Sequence, residues 1–309
     1  MRLIFHIGQH KTGSKALQYF LSSNQSNLAK HKILYSTQQS DPSCHAYQHS
    51  HYHFYRQLQV ATQFLNSEMA QKSFKVLRGV LDSDIDFANH HQLNTIVMSA
   101  EDVFTMQTAH ELNVDGDLLF RAIEVLKRLV TELNIDLQVV VYLRNTPEFL
   151  LASYAQYIKG ESRGTLKIEE FFEVFQERLY PQKFLTDWKN VLGADAVLVR
   201  NFNEDRSVFD IRSDFVKTVL NLNTDQFDFD YPLIQSNRRE VLNETPNAIT
   251  LAILRKFNQY PRLEKYLPRE ILMDRCSAVF KGRENIPLSD AIKKRMENHS
   301  DFVSWQQNT

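Results

Sequence analysis

Leu3–Leu21 reads LIFHIGQHKTGSKALQYFL, an apolar run followed by a turn that contains glycine and then a helix-like segment. The run from Leu3 to Ile7 is rich in β-branched and aromatic residues, which predicts a buried strand. After Gly13, apolar residues recur at helical spacing, at Ala16, Leu17, Phe20 and Leu21. The stretch therefore predicts a strand, a loop and a helix whose first N–H groups point back over the loop.

The loop carries groups that suit an anionic ligand. A helix N-terminus attracts phosphate, Lys11 adds a cation, and Thr12 and Ser14 add hydroxyls. A Walker A loop would place Lys where Ser14 stands and a hydroxyl residue where Lys15 stands, so the sequence disfavours a nucleoside-triphosphatase. An ordinary strand–turn–helix without a ligand stays open as the alternative.

The rest of the chain predicts an α/β fold. Further strands are predicted at Asn94–Ser99, Leu137–Leu143 and Ala196–Arg200, and helices near residues 55–88, 118–133 and 146–158. Helices between apolar strands are typical of a mostly parallel central sheet covered by helices. We predict a single P-loop-like α/β domain over residues 1–309, with a helical C-terminal region from about residue 240.

Composition narrows the function classes. The net charge of −1 gives no global attraction to nucleic acid or to membranes. The longest apolar run, Leu137–Leu143, is too short to span a bilayer, and no leader precedes the first strand, so we expect a cytoplasmic protein. Cys44 and Cys276 lack metal-site spacing; free thiols are expected, and a single disulfide stays open.

A histidine-rich tract raises the question of a metal site. It contains His45, His49, His51 and His53, interleaved with aromatic residues and without an acidic residue or cysteine inside it. Metal sites need several ligands fixed on one face, so we predict no metal. A solvated or acceptor-facing segment is favoured, and the placement of His51 or His53 in a sugar cleft stays open.

The first loop resembles the loop that binds the 5′-phosphosulfate group in sulfotransferases that use 3′-phosphoadenosine 5′-phosphosulfate (PAPS). The resemblance lies in the string from His6 to Ser14 together with Leu17 and Gln18. It implies that the cofactor's 5′-phosphate is bound around Lys11, Thr12, Gly13 and Ser14. Lys15 departs from the usual Lys-Thr-Gly-Thr-Thr, and it either adds a phosphate contact or points to solvent.

A second stretch, Arg144–Gln156, resembles the 3′-phosphate motif of the same family. There a strand-end Arg and a helical Ser nine residues later bind the cofactor, which implies Arg144 and Ser153 here. An Arg side chain is a planar fork that suits phosphate. Tyr180, Trp188, Arg200 and Asn237 are weaker matches, and Arg200 serves either a carboxylate or the active site.

Glu101 follows the predicted strand Asn94–Ser99, where open α/β sheets place their chemistry. A carboxylate there can deprotonate an acceptor hydroxyl, and related sulfotransferases carry Ser-x-Glu at this place. A cap on the following helix is the equally weighted alternative.

The resemblance implies sulfuryl transfer from PAPS to a hydroxyl of a carbohydrate or glycolipid, leaving adenosine 3′,5′-bisphosphate (PAP). Lys11 would stabilise charge on the bridging oxygen, Glu101 or a histidine would be the base, and neither metal nor nucleic acid would be needed. The alternatives are an ATP-dependent P-loop kinase and a nucleotide-binding scaffold without catalysis. The sequence leaves the oligomeric state open.

Overall fold

A computed structural model of the chain describes residues 1–36, 51–64, 66–106, 116–160, 162–202, 210–223, 229, 247–279 and 286–299. The strands are β1 Arg2–His6, β2 Ile33–Tyr35, β3 Thr95–Ser99, β4 Asp136–Leu143 and β5 Val197–Asn201. The helices are α1 Ser14–Ser23, α2 Gln25–Lys30, α3 Tyr52–Gln63, α4 Glu68–His90, α5 Gly116–Glu132, α6 Thr146–Lys159, α7 Ile168–Leu179, α8 Gln182–Leu192, α9 Ile211–Asp214, α10 Ala248–Asn258, α11 Arg269–Val279 and α12 Asp290–Glu297. A π-helical stretch, Phe215–Val219, continues α9, and 3₁₀ turns lie at Glu101–Val103, Ala194–Ala196 and Pro261–Lys265.

The five strands form one sheet in the order β2-β3-β1-β4-β5. All four pairs of neighbouring strands are parallel. The prediction of an α/β fold with a parallel central sheet is therefore confirmed. The short edge strand β2 was not predicted, because Ile33–Tyr35 is too short to show a periodic pattern.

Helices pack on both faces of the sheet because successive side chains of β1 point to opposite sides. Ile4 lies in a buried cluster with Leu17 and Phe20 of α1 and Phe215 beyond α9. Phe5 packs edge-to-face on Phe54 of α3, with ring centroids 5.7 Å apart. This two-sided burial explains the continuous apolar runs of the central strands.

The chain divides into two compact units. The first contains Met1–Gln107, Asp115–Arg144 and Gln182–Ile234, and it holds the whole sheet. In the second unit, buried residues of α6, α7, α10 and α12 share one apolar cluster, with Phe149, Phe171, Leu254 and Ile292 among its members. The description of residues 1–309 as a single domain stays a prediction.

The predicted helices at residues 55–88, 118–133 and 146–158 are confirmed as α3 with α4, as α5 and as α6. Asn145 caps α6 by accepting a hydrogen bond from the backbone N–H of Glu148, 3.0 Å, and Pro147 lies in the first turn.

His45, His49, Cys44 and Asn237 lie outside the described residues. Cys276 is a buried free thiol. Among the described helices, none combines the length and apolar character that a membrane crossing requires.

Candidate active site

The loop after β1 runs alongside the neighbouring strand β4 before it enters α1. The backbone N–H of Ile7 donates to the carbonyl of Val140, 2.9 Å, and that of Gln9 donates to the carbonyl of Tyr142, 3.3 Å. Thr12 then closes the turn, because its hydroxyl donates to the carbonyl of Gln9, 2.6 Å. The loop is held at the carboxyl ends of the central strands, the edge where open parallel sheets bind ligands.

Two residues of the loop have left-handed backbone conformations, Lys11 with φ 68° and Gly13 with φ 81°. A β-carbon added to Gly13 would lie 3.2 Å from the Phe202 ring and 3.3 Å from Ile211, so a side chain there would be strained by the backbone and would also press on both neighbours. Lysine rarely adopts this conformation, and such strain is concentrated at functional sites. Left-handed residues in a turn before a helix direct successive N–H groups inward, which creates a concave site for an anion.

Arg144 joins the end of β4 to this loop. Its backbone N–H donates to the side-chain oxygen of Gln9, 2.9 Å, and its guanidinium donates to the carbonyl of Lys11, 3.1 Å. The guanidinium carbon also lies 5.9 Å from the centroid of the Phe202 ring. The structure therefore brings together two of the sequence-predicted site residues that are 133 positions apart in the chain.

Charges converge on the ammonium group of Lys11. Burial lowers the pKa of Lys11, the nearby charge of Glu101 partly opposes that decrease, and Lys15 and Arg144 lower the pKa further. Two further cations and one carboxylate thus act on the charge of Lys11. Lys15 itself is an exposed residue of α1. This excess of positive charge favours a ligand with more than one negative charge.

Glu101 is the first residue of the 3₁₀ turn that follows β3, and Ala100 occupies the cap position. No side-chain hydrogen bond caps this turn, but Glu101 lies in its first turn, where a carboxylate suits the helix dipole, so the capping interpretation stays open beside the base. Glu101 is partly exposed, and its charge acts on both Lys11 and His6. Its predicted role as the base stays a prediction.

His10 and Asp102 form a pair that the sequence reasoning did not single out. Nε2 of His10 lies 3.4 Å from a carboxylate oxygen of Asp102, and both side chains are buried. The two residues follow β1 and β3, which are neighbours in the sheet. Neighbouring parallel strands end at the same edge of the sheet, so residues that follow β1 and β3 lie close together. The signal in the sequence was the pair of acidic residues, Glu101 and Asp102, directly after the predicted strand.

A buried polar network lies beneath the loop. Nδ1 of His6 is 2.8 Å from the Ser99 hydroxyl, the amide of Gln18 donates to that hydroxyl at 3.0 Å, and the Ser99 N–H donates to Nδ1 of His51 at 3.0 Å. Burial lowers the pKa of His6 and of His51 to about 4. Both imidazoles are therefore neutral at pH 7, and His51 lies in the interior rather than in a sugar cleft.

The structure also describes the predicted residues Arg200 and Ser153. Arg200 is bonded to the carboxylate of Asp214, 2.5 Å, and that carboxylate also accepts a bond from the Tyr142 hydroxyl, 2.7 Å. Of the two interpretations of Arg200, the structure therefore shows the carboxylate partner. Ser153 is a buried residue of α6 in the second unit, and its phosphate-binding role stays a prediction.

The arrangement is suited to holding a polyanion next to the carboxylate of Glu101. Within the parts of the chain that the structure describes, no group of three or more His, Cys, Asp or Glu side chains is placed to hold a metal ion. The donors that are present are backbone N–H groups, an ammonium, a guanidinium and hydroxyls, which are the partners of phosphate and sulfate oxygens.

Comparison with known proteins adds little to this geometry. No protein-family model matches the chain, and no curated protein matches it. A solved structure that is similar to it is a sulfotransferase from Alicyclobacillus acidocaldarius, 14% identical, with 86% of this chain and 96% of that chain covered and a TM-score of 0.40. A TM-score of 0.40 is too low to assign a function.

Proposed function

We propose that this protein is a sulfotransferase that moves a sulfuryl group from PAPS to an acceptor hydroxyl and releases PAP. The observation that carries the proposal is the contact of Arg144 with the backbone of Lys11, 3.1 Å. It joins the two stretches that resemble the 5′- and 3′-phosphate motifs of PAPS-dependent sulfotransferases. A nucleotide with phosphates on both ends of its ribose needs two separate groups of donors, and these stretches supply them.

The residues fit such a nucleotide. The N–H groups of Thr12, Gly13 and Ser14 at the start of α1 would hold the 5′-phosphate, and Arg144 would hold the 3′-phosphate. Ser153 is proposed as a second 3′-phosphate residue from the resemblance alone. The nucleotide supplies an activated sulfuryl group, and the protein contributes positioning and charge stabilisation.

Two side chains are proposed to handle protons. Glu101 takes the proton of the acceptor hydroxyl while the acceptor oxygen forms the new bond to sulfur. Lys11 stabilises the negative charge on the oxygen that leaves sulfur, and it donates a proton there more readily because burial lowers its pKa. His10, paired with Asp102, is the second candidate for the base. A carbohydrate or glycolipid acceptor is proposed from the resemblance.

A P-loop kinase and a catalytically inactive scaffold are the rival functions. Ser14 and Lys15 stand where an ATP-binding loop has its Lys and its magnesium-binding hydroxyl, which disfavours the kinase. If ATP with Mg²⁺ stabilised the protein more than PAP did, the kinase would replace the sulfotransferase. If PAP bound but neither sulfuryl transfer nor slow hydrolysis of PAPS could be detected, the scaffold would be favoured.

Calorimetric titration tests the nucleotide assignment. We expect PAP to bind without added metal, and Arg144→Ala to weaken PAP far more than AMP, since AMP lacks the 3′-phosphate. Loss of one charge-assisted contact costs about 1.5–3 kcal/mol, or roughly 10- to 150-fold in Kd. The control is Arg128→Ala, which removes an exposed arginine that pairs with Glu132 on α5. Equal losses for the two nucleotides would show that Arg144 does not bind the 3′-phosphate.

A further inference from the structure

Two buried polar atoms beneath the loop have no hydrogen-bond partner among the described residues, Nε2 of His6 and the hydroxyl oxygen of Ser14. The exposed fraction is 0% for His6 and 2% for Ser14. Buried polar atoms are nearly always paired, because an unpaired one costs stability. Two such atoms at one place can both be satisfied by a single bound ligand that accepts hydrogen bonds.

The two atoms face the same side of Gly8, where the loop begins. A β-carbon added to Gly8 would lie 2.8 Å from Nε2 of His6 and 3.2 Å from the hydroxyl oxygen of Ser14. Any side chain at residue 8 would thus cover both atoms. Ser14 is also the first residue of the ten-residue helix α1, whose free N–H groups point toward the loop. The unpaired atoms and the helix N-terminus therefore belong to one anion-binding region.

The hydrogen bonds of the Ser99 hydroxyl indicate which nitrogen of His6 carries the proton. The Gln18 side-chain nitrogen lies 3.5 Å from the carbonyl oxygen of Ser99 and 3.0 Å from its hydroxyl, and a carbonyl only accepts, so Gln18 presents its NH₂ group. The Ser99 hydroxyl accepts from Gln18 and is left with its own proton to donate. Among the described residues, Nδ1 of His6, 2.8 Å away, is the one acceptor that the Ser99 hydroxyl contacts, and we therefore assign the proton of His6 to Nε2.

His6 is therefore a neutral donor. Burial lowers its pKa to about 4, the charge of Glu101 opposes this only in part, and the ring is enclosed by Tyr142 and Phe215. Such a donor adds a hydrogen bond to an anion without adding a fourth cation to Lys11, Lys15 and Arg144. It is also independent of pH across the neutral range.

We propose that the Nε2–H of His6 donates a hydrogen bond to the phosphate held by the loop, beside the hydroxyl of Ser14, with Gln18 and Ser99 as positioning residues that keep His6 in this tautomer. The inference rests on the proposed function for the identity of the ligand, the 5′-phosphate of an adenine nucleotide. It assigns His6, which lies on the strand rather than in the loop, to the binding site.

Nuclear magnetic resonance of the whole protein with ¹⁵N-labelled histidine tests the proposal directly. The His6 signal is identified in the wild type by its contact with the Tyr142 ring, 5.7 Å between centroids. We expect an Nε2–H tautomer, and a downfield shift of its proton when AMP, PAP or inorganic phosphate is added. Adenosine 3′-monophosphate, which has no 5′-phosphate, should leave the signal in place.

Affinity measurements on His6→Phe provide the second readout. The variant keeps an aromatic ring but removes both nitrogens, and it should weaken AMP and PAP by about 10-fold or more while leaving adenosine 3′-monophosphate unchanged. The matched control is His51→Phe, which removes an equally buried imidazole that is bonded to the backbone of Ser99. That control should keep its phosphate affinity even if its stability falls.

The outcomes separate this inference from the proposed function. If PAP binds the wild type but the His6 signal does not move, His6 is structural and the inference is wrong, whether or not His6→Phe folds. If no nucleotide binds but inorganic phosphate moves the signal, the proposed function fails and the donor role of His6 stands. If neither nucleotides nor phosphate move the signal, the donor role is overturned.

Discussion

Lys11 and Lys15 are two lysines of one loop that the structure places differently. Lys11 is largely buried in a left-handed conformation, whereas Lys15 is exposed on the first turn of α1. Both charges act on each other, since Lys15 helps to lower the pKa of Lys11. The proposed mechanism accordingly gives the transition-state role to Lys11 and an auxiliary role to Lys15.

Mutation of each lysine tests this assignment. Lys11→Ala should reduce turnover by about 100-fold or more with a small effect on PAP affinity, because a group that meets developing charge acts mainly in the transition state. Lys15→Thr should keep activity within about tenfold, since an exposed ion pair contributes little. Steady-state kinetics with a PAPS-hydrolysis assay measure both. An essential Lys15 with a dispensable Lys11 would contradict the mechanism.

The identity of the base is a second question at the scale of residues. Glu101→Gln keeps the shape of the side chain and removes the base, so it should lower turnover by about 10²- to 10⁴-fold with PAP affinity unchanged. Asp102→Asn should have a smaller effect if Glu101 is the base, because Asp102 then only orients His10. The pair of variants is compared by kcat at saturating PAPS. The opposite ranking would identify His10 as the base.

At the scale of elements, the three central strands and the loop were predictable, and the polar interior was not. The strands β1, β3 and β4 are recognisable in the sequence because strands buried on both faces are apolar throughout. The turn is recognisable because its left-handed backbone conformation at residue 13 favours glycine. The network of His6, Ser99 and Gln18 joins residues up to 93 positions apart. Nothing in a local sequence pattern indicates such pairs, because their contact follows from strand order.

Asp214 shows how such a distant pair stabilises neighbouring elements. Its carboxylate accepts bonds from Tyr142 on β4 and Arg200 on β5, and it ends α9, whose first residue packs against Gly13. Asp214→Asn should lower the free energy of unfolding by about 2–4 kcal/mol, since it leaves a partly buried guanidinium without its counter-charge. Tyr142→Phe, the control, removes one neutral donor and should cost about 1–1.5 kcal/mol. Urea denaturation measures both, and equal losses would show that the charge of Asp214 adds nothing.

At the scale of the whole molecule, sequence and structure agree on the fold class and differ in what they reveal of the interior. Net charge and composition predicted a chain without a global electrostatic preference. They did not predict that His6, His51 and Asp84 would be buried together in the first unit. Burial of ionisable groups depends on the packing of α3, α4 and the sheet, and it makes stability depend on pH.

The last prediction concerns acid denaturation of the first unit. The pKa of His6 and of His51 is lowered to about 4, so between pH 6.5 and 4 the unfolded chain binds protons that the folded chain does not, and stability falls as the pH falls. Asp84 acts in the opposite direction, because burial raises its pKa to about 6 and the folded chain then holds its proton. The two histidines together outweigh Asp84, so the free energy of unfolding falls with pH by roughly the effect of one histidine, at most about 1.4 kcal/mol per pH unit.

Urea denaturation at pH 6.5, 5.5 and 4.5 measures this loss. Trp188, buried on α8 with its ring N–H donating to the carbonyl of Phe104, reports on the first unit by fluorescence once Trp305 is replaced by Phe. His51→Gln removes one buried imidazole and should flatten the profile. Asp84→Asn removes the opposing carboxyl and should steepen it. A profile that stays flat in the parent protein and in Asp84→Asn would mean that the two histidines titrate normally and are open to water. The neutral donor assigned to His6 would then be lost as well, because an imidazole that gains a proton near pH 6.5 is not held in one tautomer by Ser99.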